Sequence, residues 1–358
     1  MIKRTTYLIA IIALGISHST MAWQAKEVTS GLNVPWGMSY FDDEKLLVTQ
    51  RNGELGIVDL KTGNFSALPS VSQAKVTGQG GLLDVAQSPF KAKQFYFTYS
   101  KQVNDAVETT LAVADLTASG MENWRELLVT QSGSDGGRHF GSRVTFDEQF
   151  VYFSVGDRGE RDNGQNLSTH AGSIIRLHPD GRVPQDNPFV NKDNAQAEIW
   201  SYGHRNPQGL FFDHTSSRLW SIEHGPRGGD EVNEILKGEN YGWPITSHGK
   251  EYWGPISVGE AEELPGIQPP KQVYVPSIAP SSLILYRGGH YPELDGKLVA
   301  GALKLTHLNI LTLDKQGNVI KEQRILESLG ERIRDIETTP EGVLYFSTDS
   351  GKIFRLER

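Results

Sequence analysis

Cysteine is absent from this chain. That excludes disulfides, thiolate metal centres and the c-type haem attachment motif. HExxH, GxSxG and Walker sequences are absent too, so the usual marks of zinc proteases, α/β-hydrolase elbows and P-loop enzymes are missing. GQGG at Gly78–Gly81 lacks the third glycine of a dinucleotide loop, and no helical pattern follows it. It reads as a turn that holds Gln79. No EF-hand spacing occurs, and DRGERDNGQN from Asp157 is in the wrong register for one.

Long apolar runs are also scarce. Tyr7–Ile16 is too short to span a bilayer, which takes about 18 or more apolar residues. It follows the basic pair Lys3 and Arg4 and precedes the small-residue site Thr20-Met21-Ala22. This order predicts a secretory signal peptide at residues 1–22, export to a bacterial periplasm and no membrane anchor. Residues 23–358 are then read as one domain, since no linker or composition break interrupts them. Loss of Lys3 and Arg4 deepens the formal charge from −8 to −10. An acidic surface argues against nucleic acid as a partner. Basic clusters become informative because they run against the whole.

What the chain does contain is a repeated phrase. An apolar alternating run, a short polar turn and a second apolar run recur in six copies. They start at Trp36 (WGMSYFDDEKLLVTQ), Gly81, Ser142 (SRVTFDEQFVYFSVGD), Gln208, Ser281 and Ile333. Period-two alternation bounded by Gly, Pro, Asp and Ser marks antiparallel strands. Recurrence at roughly 45–70 residues matches propeller blades with insertions. The expectation is an all-β, six-bladed β-propeller with four-stranded antiparallel blades. A strand around Glu27–Ser30 would close the ring, and the insertions Asn163–Val190 and Gly249–Pro276 would form binding loops. A pair of β-sandwiches explains the strands but not the repetition.

In a propeller, residues just before the innermost strand of each blade collect at the channel mouth. They are Gln79, His139, Arg205 with Asn206, Ser277, and Arg332 with Arg334. Asp157 ends the third copy and Lys304 follows the fifth. Arg205, Lys304, Arg332 and Arg334 are four cations on an acidic protein, suited to a small polyanion. His139 with Asp157 one hairpin later reads as a general base whose tautomer a carboxylate fixes. His204 and His224 read as structural or supporting. HGPRGGDEVNEI from His224 offers Gly-Pro carbonyls, Asp230 and Glu231. It reads either as an oxygen-rich Ca²⁺ loop or as a tight turn with a solvated acidic pair.

GQGGLLD, GRHFGSRVTF, VGDRG, GHRNPQGL, EHGPRGGDEVN, NYGWP, VPSIAPSS, GALK and RIRD follow one another along the chain. In that order they resemble the soluble pyrroloquinoline-quinone (PQQ)-dependent aldose sugar dehydrogenases of the glucose/sorbosone dehydrogenase family. The resemblance covers nearly all of residues 23–358. It implies oxidation of an aldose at C1 to a lactone, with PQQ and Ca²⁺ as cofactors. It implies His139, Gln79 and Asp157 as the catalytic group. Gln79, Arg205, Asn206, Tyr252, Ser277, Lys304, Arg332 and Arg334 would hold the quinone. Gly225 and Pro226 would give carbonyls to a catalytic Ca²⁺, with Glu231 and Tyr241 at a structural one. His224 stands where glucose-specific members carry Gln, and Ser277 where they carry Thr, so the chain resembles the broader aldose branch. The expected partners are an aldose and an unspecified electron acceptor, and the expected state is a monomer or weak dimer. The competing readings are a metal-dependent propeller lactonase or hydrolase and a non-catalytic sugar-binding propeller.

Overall fold

The computed structural model describes residues 22–42 and 44–358. The expected leader, apart from Ala22, lies outside the described residues. Six sheets of four strands follow one another around a ring, each sheet antiparallel and each a blade of a β-propeller. The innermost strands are Pro35–Phe41, Leu82–Gln87, Val144–Phe146, Pro207–Asp213, Pro280–Leu285 and Ile333–Thr338, for blades 1 to 6. Each neighbours the next, and the first packs beside the sixth. Every copy of the repeated phrase is the inner hairpin of a blade. These hairpins are nearly all buried, because neighbouring blades cover both of their faces.

The ring closes as the sequence predicts. Gln24–Thr29 pairs antiparallel with the last strand, Ile353–Glu357, and completes blade 6. Among the described residues no helix is long and apolar enough to cross a membrane.

Two local devices bring side chains to the axis. In five blades the innermost pair carries a bulge or register shift near its start, at Pro35/Gly37, Leu82/Val85, Pro207/Gly209, Pro280/Leu283 and Ile333/Asp335. A bulge re-aims the residues around it. Asp84 and Arg334 lie inside two of these intervals. The second device is close approach. A Cβ on Gly37 would fall 2.8 Å from the backbone N of Val85, so only glycine lets inner strands 1 and 2 meet.

The channel is plugged at its middle by Arg143. Its Nη1 donates to Asp84 Oδ1 at 2.7 Å and to Asp335 Oδ1 at 2.7 Å. Nε donates to Gln208 O at 3.0 Å and Nη2 to Ser281 O at 3.2 Å. The second oxygen of Asp335 accepts from Met38 N at 2.7 Å, and that of Asp84 from Val144 N at 2.8 Å. Burial pushes the Asp84 carboxyl up to about 7 against the pull of Arg143.

Replacing Arg143 with Met would leave two buried carboxylates facing each other. The expected loss is about 3–5 kcal/mol of unfolding free energy. The deficit should grow as pH rises from about 7, the wild-type value, into the alkaline range, because loss of the cation raises the native carboxyl pKa further and the folded variant then holds protons that folded wild type has released. Urea melts of both proteins across that range test this. A pH-independent difference, or none, would show that the plug is held by packing instead.

Candidate active site

The mouth is built from glycine-rich turns that touch backbone to backbone. The turn at Gly78–Gly81 meets the loop Gly136–Gly141 so closely that a Cβ on Gly78 would fall 2.1 Å from Gly137 O. Gln79 N donates to Gly137 O at 2.7 Å, and Gln79 Oε1 accepts from His139 N at 2.8 Å. His139 itself has φ +56°, a left-handed conformation that non-glycine residues seldom adopt. Gln79 thus spends its carbonyl on fixing His139.

His139 Nδ1 lies 2.6 Å from Asp157 Oδ1. The same oxygen accepts from Gly159 N at 2.7 Å, and Oδ2 accepts Trp243 Nε1–H at 2.8 Å. Burial pulls the imidazole below its ordinary range, and the hydrogen bond and charge of Asp157 oppose this without cancelling it. Burial alone would raise Asp157, but His139, the Gly159 N–H and the charge of Arg205 hold it below the usual carboxylate range. The pair is therefore neutral imidazole with ionised carboxylate at neutral pH. Nδ1–H donates to Asp157, and Nε2 keeps its lone pair.

Sequence reasoning missed two supports of this pair. Trp243, in the NYGWP motif, holds Asp157 from the far side. Arg158 is 1% exposed and its guanidinium lies 3.5 Å over the Phe140 ring. It donates to the carbonyls of Arg138, Gly136 and Val107, gripping both flanks of His139. Burial pushes it down to about 10.

Beside the pair is a cavity of about 210 Å³. Gln79, Phe140, Gly141 and Asn206 line it next to His139, with Trp36 and His224 further round. Arg332, Arg334 and Arg51 also line it, together with Asp349, which the sequence did not single out. Asp349 neutralises two of these cations. Its Oδ2 accepts from Arg332 Nε at 2.9 Å and Arg334 Nη2 at 3.1 Å, and its Oδ1 from Arg334 Nε at 2.8 Å. Burial pulls the Arg334 guanidinium below its ordinary range, with Asp349 opposing. The channel plug lies beneath: Trp36 has Arg143 4.6 Å from its ring centre and Arg334 5.9 Å from it.

The other expected ligands gather next door. Arg205 Nη1 donates to Gly225 O at 2.7 Å and His224 O at 3.1 Å, and Nη2 is 3.4 Å from Tyr252 Oη. His224 donates Nε2–H to Pro280 O, and burial pushes its imidazole down to about 3, so it stays neutral. Ser277 Oγ donates to Pro226 O at 3.3 Å and accepts from Gly228 N at 3.0 Å, bracing the HGPRGG turn. Gly225, Pro226, Glu231 and Tyr241 all line one small cavity of about 10 Å³. Glu231 is pushed up to about 8 by burial and by the neighbouring Glu223. The Tyr241 hydroxyl donates to Glu234 O and accepts from Leu236 N, which leaves its carbonyl as the freer oxygen for a metal. Among the described residues no three His, Asp or Glu side chains converge as a metal site.

The structure therefore brings together His139, Asp157 and Gln79, and sets Asn206, Arg332 and Arg334 around one cavity. Ser277, Tyr252 and Lys304 do not line that cavity; Lys304 is exposed. His204, read as structural, is buried between Ser201 Oγ and Glu223 Oε1, and Glu223 also accepts from Arg205 N.

Comparison with known proteins gives the chain a family and a shared fold. The family model for glucose/sorbosone dehydrogenase matches residues 32–355. The aldose sugar dehydrogenase YliI of Escherichia coli is 34% identical, with 99% of this chain and 98% of that one aligned. The crystal structure of the E. coli soluble aldose sugar dehydrogenase in its apo form superposes with a TM-score of 0.89 at 33% identity, covering 94% of this chain and 99% of that one. The PQQ-bound aldose sugar dehydrogenase of Streptomyces coelicolor gives a TM-score of 0.78 at 25% identity, covering 94% of this chain and 98% of that one. The chain belongs to the glucose/sorbosone dehydrogenase family.

Proposed function

We propose that this protein is a periplasmic quinoprotein that oxidises aldose sugars at C1 to lactones, with PQQ and calcium as resident cofactors. The observation that carries the reading is the His139–Asp157 pair, 2.6 Å apart, beside a cavity walled by arginines. The relatives named above are aldose sugar dehydrogenases, and one is a PQQ complex. A propeller lactonase would require acidic and Asn metal ligands converging on the channel in place of a cationic wall. A sugar-binding module would not require a buried carboxylate on His139.

The residues fit a polyanionic quinone. Arg332 and Arg334 face the cavity, and the Nε of Arg205 is buried without a partner, so donor capacity is unspent beside the site. They also fit calcium, which takes six to eight oxygens, often backbone carbonyls. The small cavity, lined by Gly225, Pro226, Glu231 and Tyr241 together, has room for about one water-sized sphere and so for one of the two ions. Gly225 must be glycine there, because a Cβ would fall 2.0 Å from Gly229 O. When bound, PQQ supplies an electrophilic quinone that takes up a hydride, and calcium supplies Lewis-acid polarisation.

The chain's own residues bind, orient and move a proton. Arg205, Lys304, Arg332 and Arg334 hold the carboxylates and quinone oxygens, with Gln79, Asn206, Tyr252 and Ser277 completing the cofactor shell. Gly225 and Pro226 serve the catalytic calcium, Glu231 and Tyr241 a structural one. His139 Nε2 takes the proton of the sugar C1 hydroxyl, and Asp157 stabilises the imidazolium that results. Gln79 and Arg158 keep the ring in place. The electrons then leave to a separate acceptor, and the protein works as a monomer or weak dimer.

His139→Ala should lower kcat by about 10²–10⁴ while PQQ still binds. In the wild type, kcat/KM should fall as pH drops through the His139 pKa, which burial sets below the ordinary imidazole range. Near-normal turnover of the folded variant would remove His139 from the mechanism. Arg334→Ala should weaken PQQ binding by about 10²–10³, the lower end of the cost of stranding a buried charge. Arg182, exposed and paired with Asp180 at 2.7 Å, is the control; equal reconstitution curves for the two alanine variants would reduce the arginine wall to surface charge. Chelation should abolish activity and lower Tm, with calcium restoring both. A melting curve indifferent to exhaustive chelation would count against structural calcium.

A further inference from the structure

Arg51 follows directly on the strand Lys45–Gln50, the second strand of blade 1, and lines the larger cavity with Arg332 and Arg334. Its main chain is tightly held. Its N–H donates to Val34 O at 3.2 Å, and its carbonyl accepts from Leu82 N at 3.2 Å. Gly81, the last residue of the GQGG turn, packs so closely that a Cβ there would fall 1.8 Å from Arg51 O and 2.9 Å from Arg51 Cγ. The root of the side chain is thus wedged between blades 1 and 2. The guanidinium itself has no hydrogen bond or ion pair with any described residue.

Arg332 and Arg334 share Asp349, so those three groups offer a ligand one net positive charge. Arg205 lines the neighbouring small cavity and not this one, with its Nη1 already on Gly225 O. Lys304 is exposed and outside the lining. Among the residues that line this cavity Arg51 is thus the one further cation, and no described residue neutralises it. A guanidinium is also the group that presents paired N–H donors to a carboxylate.

We infer that Arg51 is a ligand-reading residue of this cavity, binding one carboxylate of the quinone and selecting the free acid over uncharged forms. This rests on the quinone reading above. It adds a cation that neither the repeat analysis nor the motif order identified.

The test is direct binding to the apo-protein, followed by quenching of tryptophan fluorescence and checked by equilibrium dialysis. The proteins are wild type, Arg51→Gln, Arg51→Lys and Arg334→Ala, each shown to be folded by its melting curve. The probes are PQQ and its trimethyl ester. Arg51→Gln should raise the Kd for PQQ by about 10–10²-fold, the scale of a lost charge-assisted hydrogen bond. Arg51→Lys should recover part of the loss. The trimethyl ester should bind wild type and Arg51→Gln alike. Unchanged PQQ affinity in Arg51→Gln, with Arg334→Ala weakened, would overturn the role of Arg51 and leave the quinone reading standing. An equal loss for PQQ and its ester would show that Arg51 shapes the cavity without reading charge, which also overturns the inference. Failure of wild type to bind PQQ would overturn the quinone reading itself, and this inference with it.

Discussion

A single guanidinium holds the ring in register. Arg143 comes from blade 3 and donates to blades 2, 4, 5 and 6, and its partner Asp335 reaches blade 1 through Met38 N. Six inner strands, each from a separate sheet, are thus set at one height along the axis. Buried ion pairs are poor sources of net stability, because desolvation offsets most of the attraction. Their use here is geometric. Two carboxylates and one cation at the centre can be satisfied only when all six blades stand in the right place. Trp36 lies over this plug and forms part of the cavity lining, so the register of the ring and the shape of the site are one constraint.

Above the plug the protein holds its cations in place before any ligand arrives. Asp349 spans Arg332 and Arg334, and the HGPRGG carbonyls hold Arg205. Such preorganisation lowers the ordering cost of binding. It also fixes protonation. His224 is kept neutral by burial, and His139 is kept neutral with its proton on the Asp157 side. An imidazole and a group of arginines coexist here because burial keeps the imidazole uncharged.

The fold was legible because inner hairpins are buried on both faces and so write a dense, repeated pattern. Outer strands are less so. Gly120–Val129 carries a mixed, half-exposed pattern that marks no repeat, and Phe65–Leu68 is too short to read. In the site, His139 and Asp157 were legible as two ends of one hairpin copy. Asp349, Trp243, Arg158 and Arg51 were not. Trp243 and Arg158 act through partners on another blade or a distant loop, Asp349 through a neighbouring strand of its own blade, and the Arg51 side chain has no partner among the described residues, and nothing local distinguishes such residues from turn residues or core aromatics. Ser277 and Lys304 sit at repeat-equivalent positions, yet the turns there put Ser277 on the HGPRGG loop and leave Lys304 exposed, so neither lines the larger cavity.

The closure of blade 6 sets an order of events in folding. Gln24–Thr29 finds its place only against Ile353–Glu357, more than three hundred residues later in the chain. Until then blade 6 has a bare edge and the ring an open seam, and contacts of such sequence separation form slowly. A chain made from its N-terminus therefore cannot lock this circle while its last strand is still unmade. The seam works as a timer: the circle stays open throughout synthesis and becomes whole only once the C-terminal strand is free to pair.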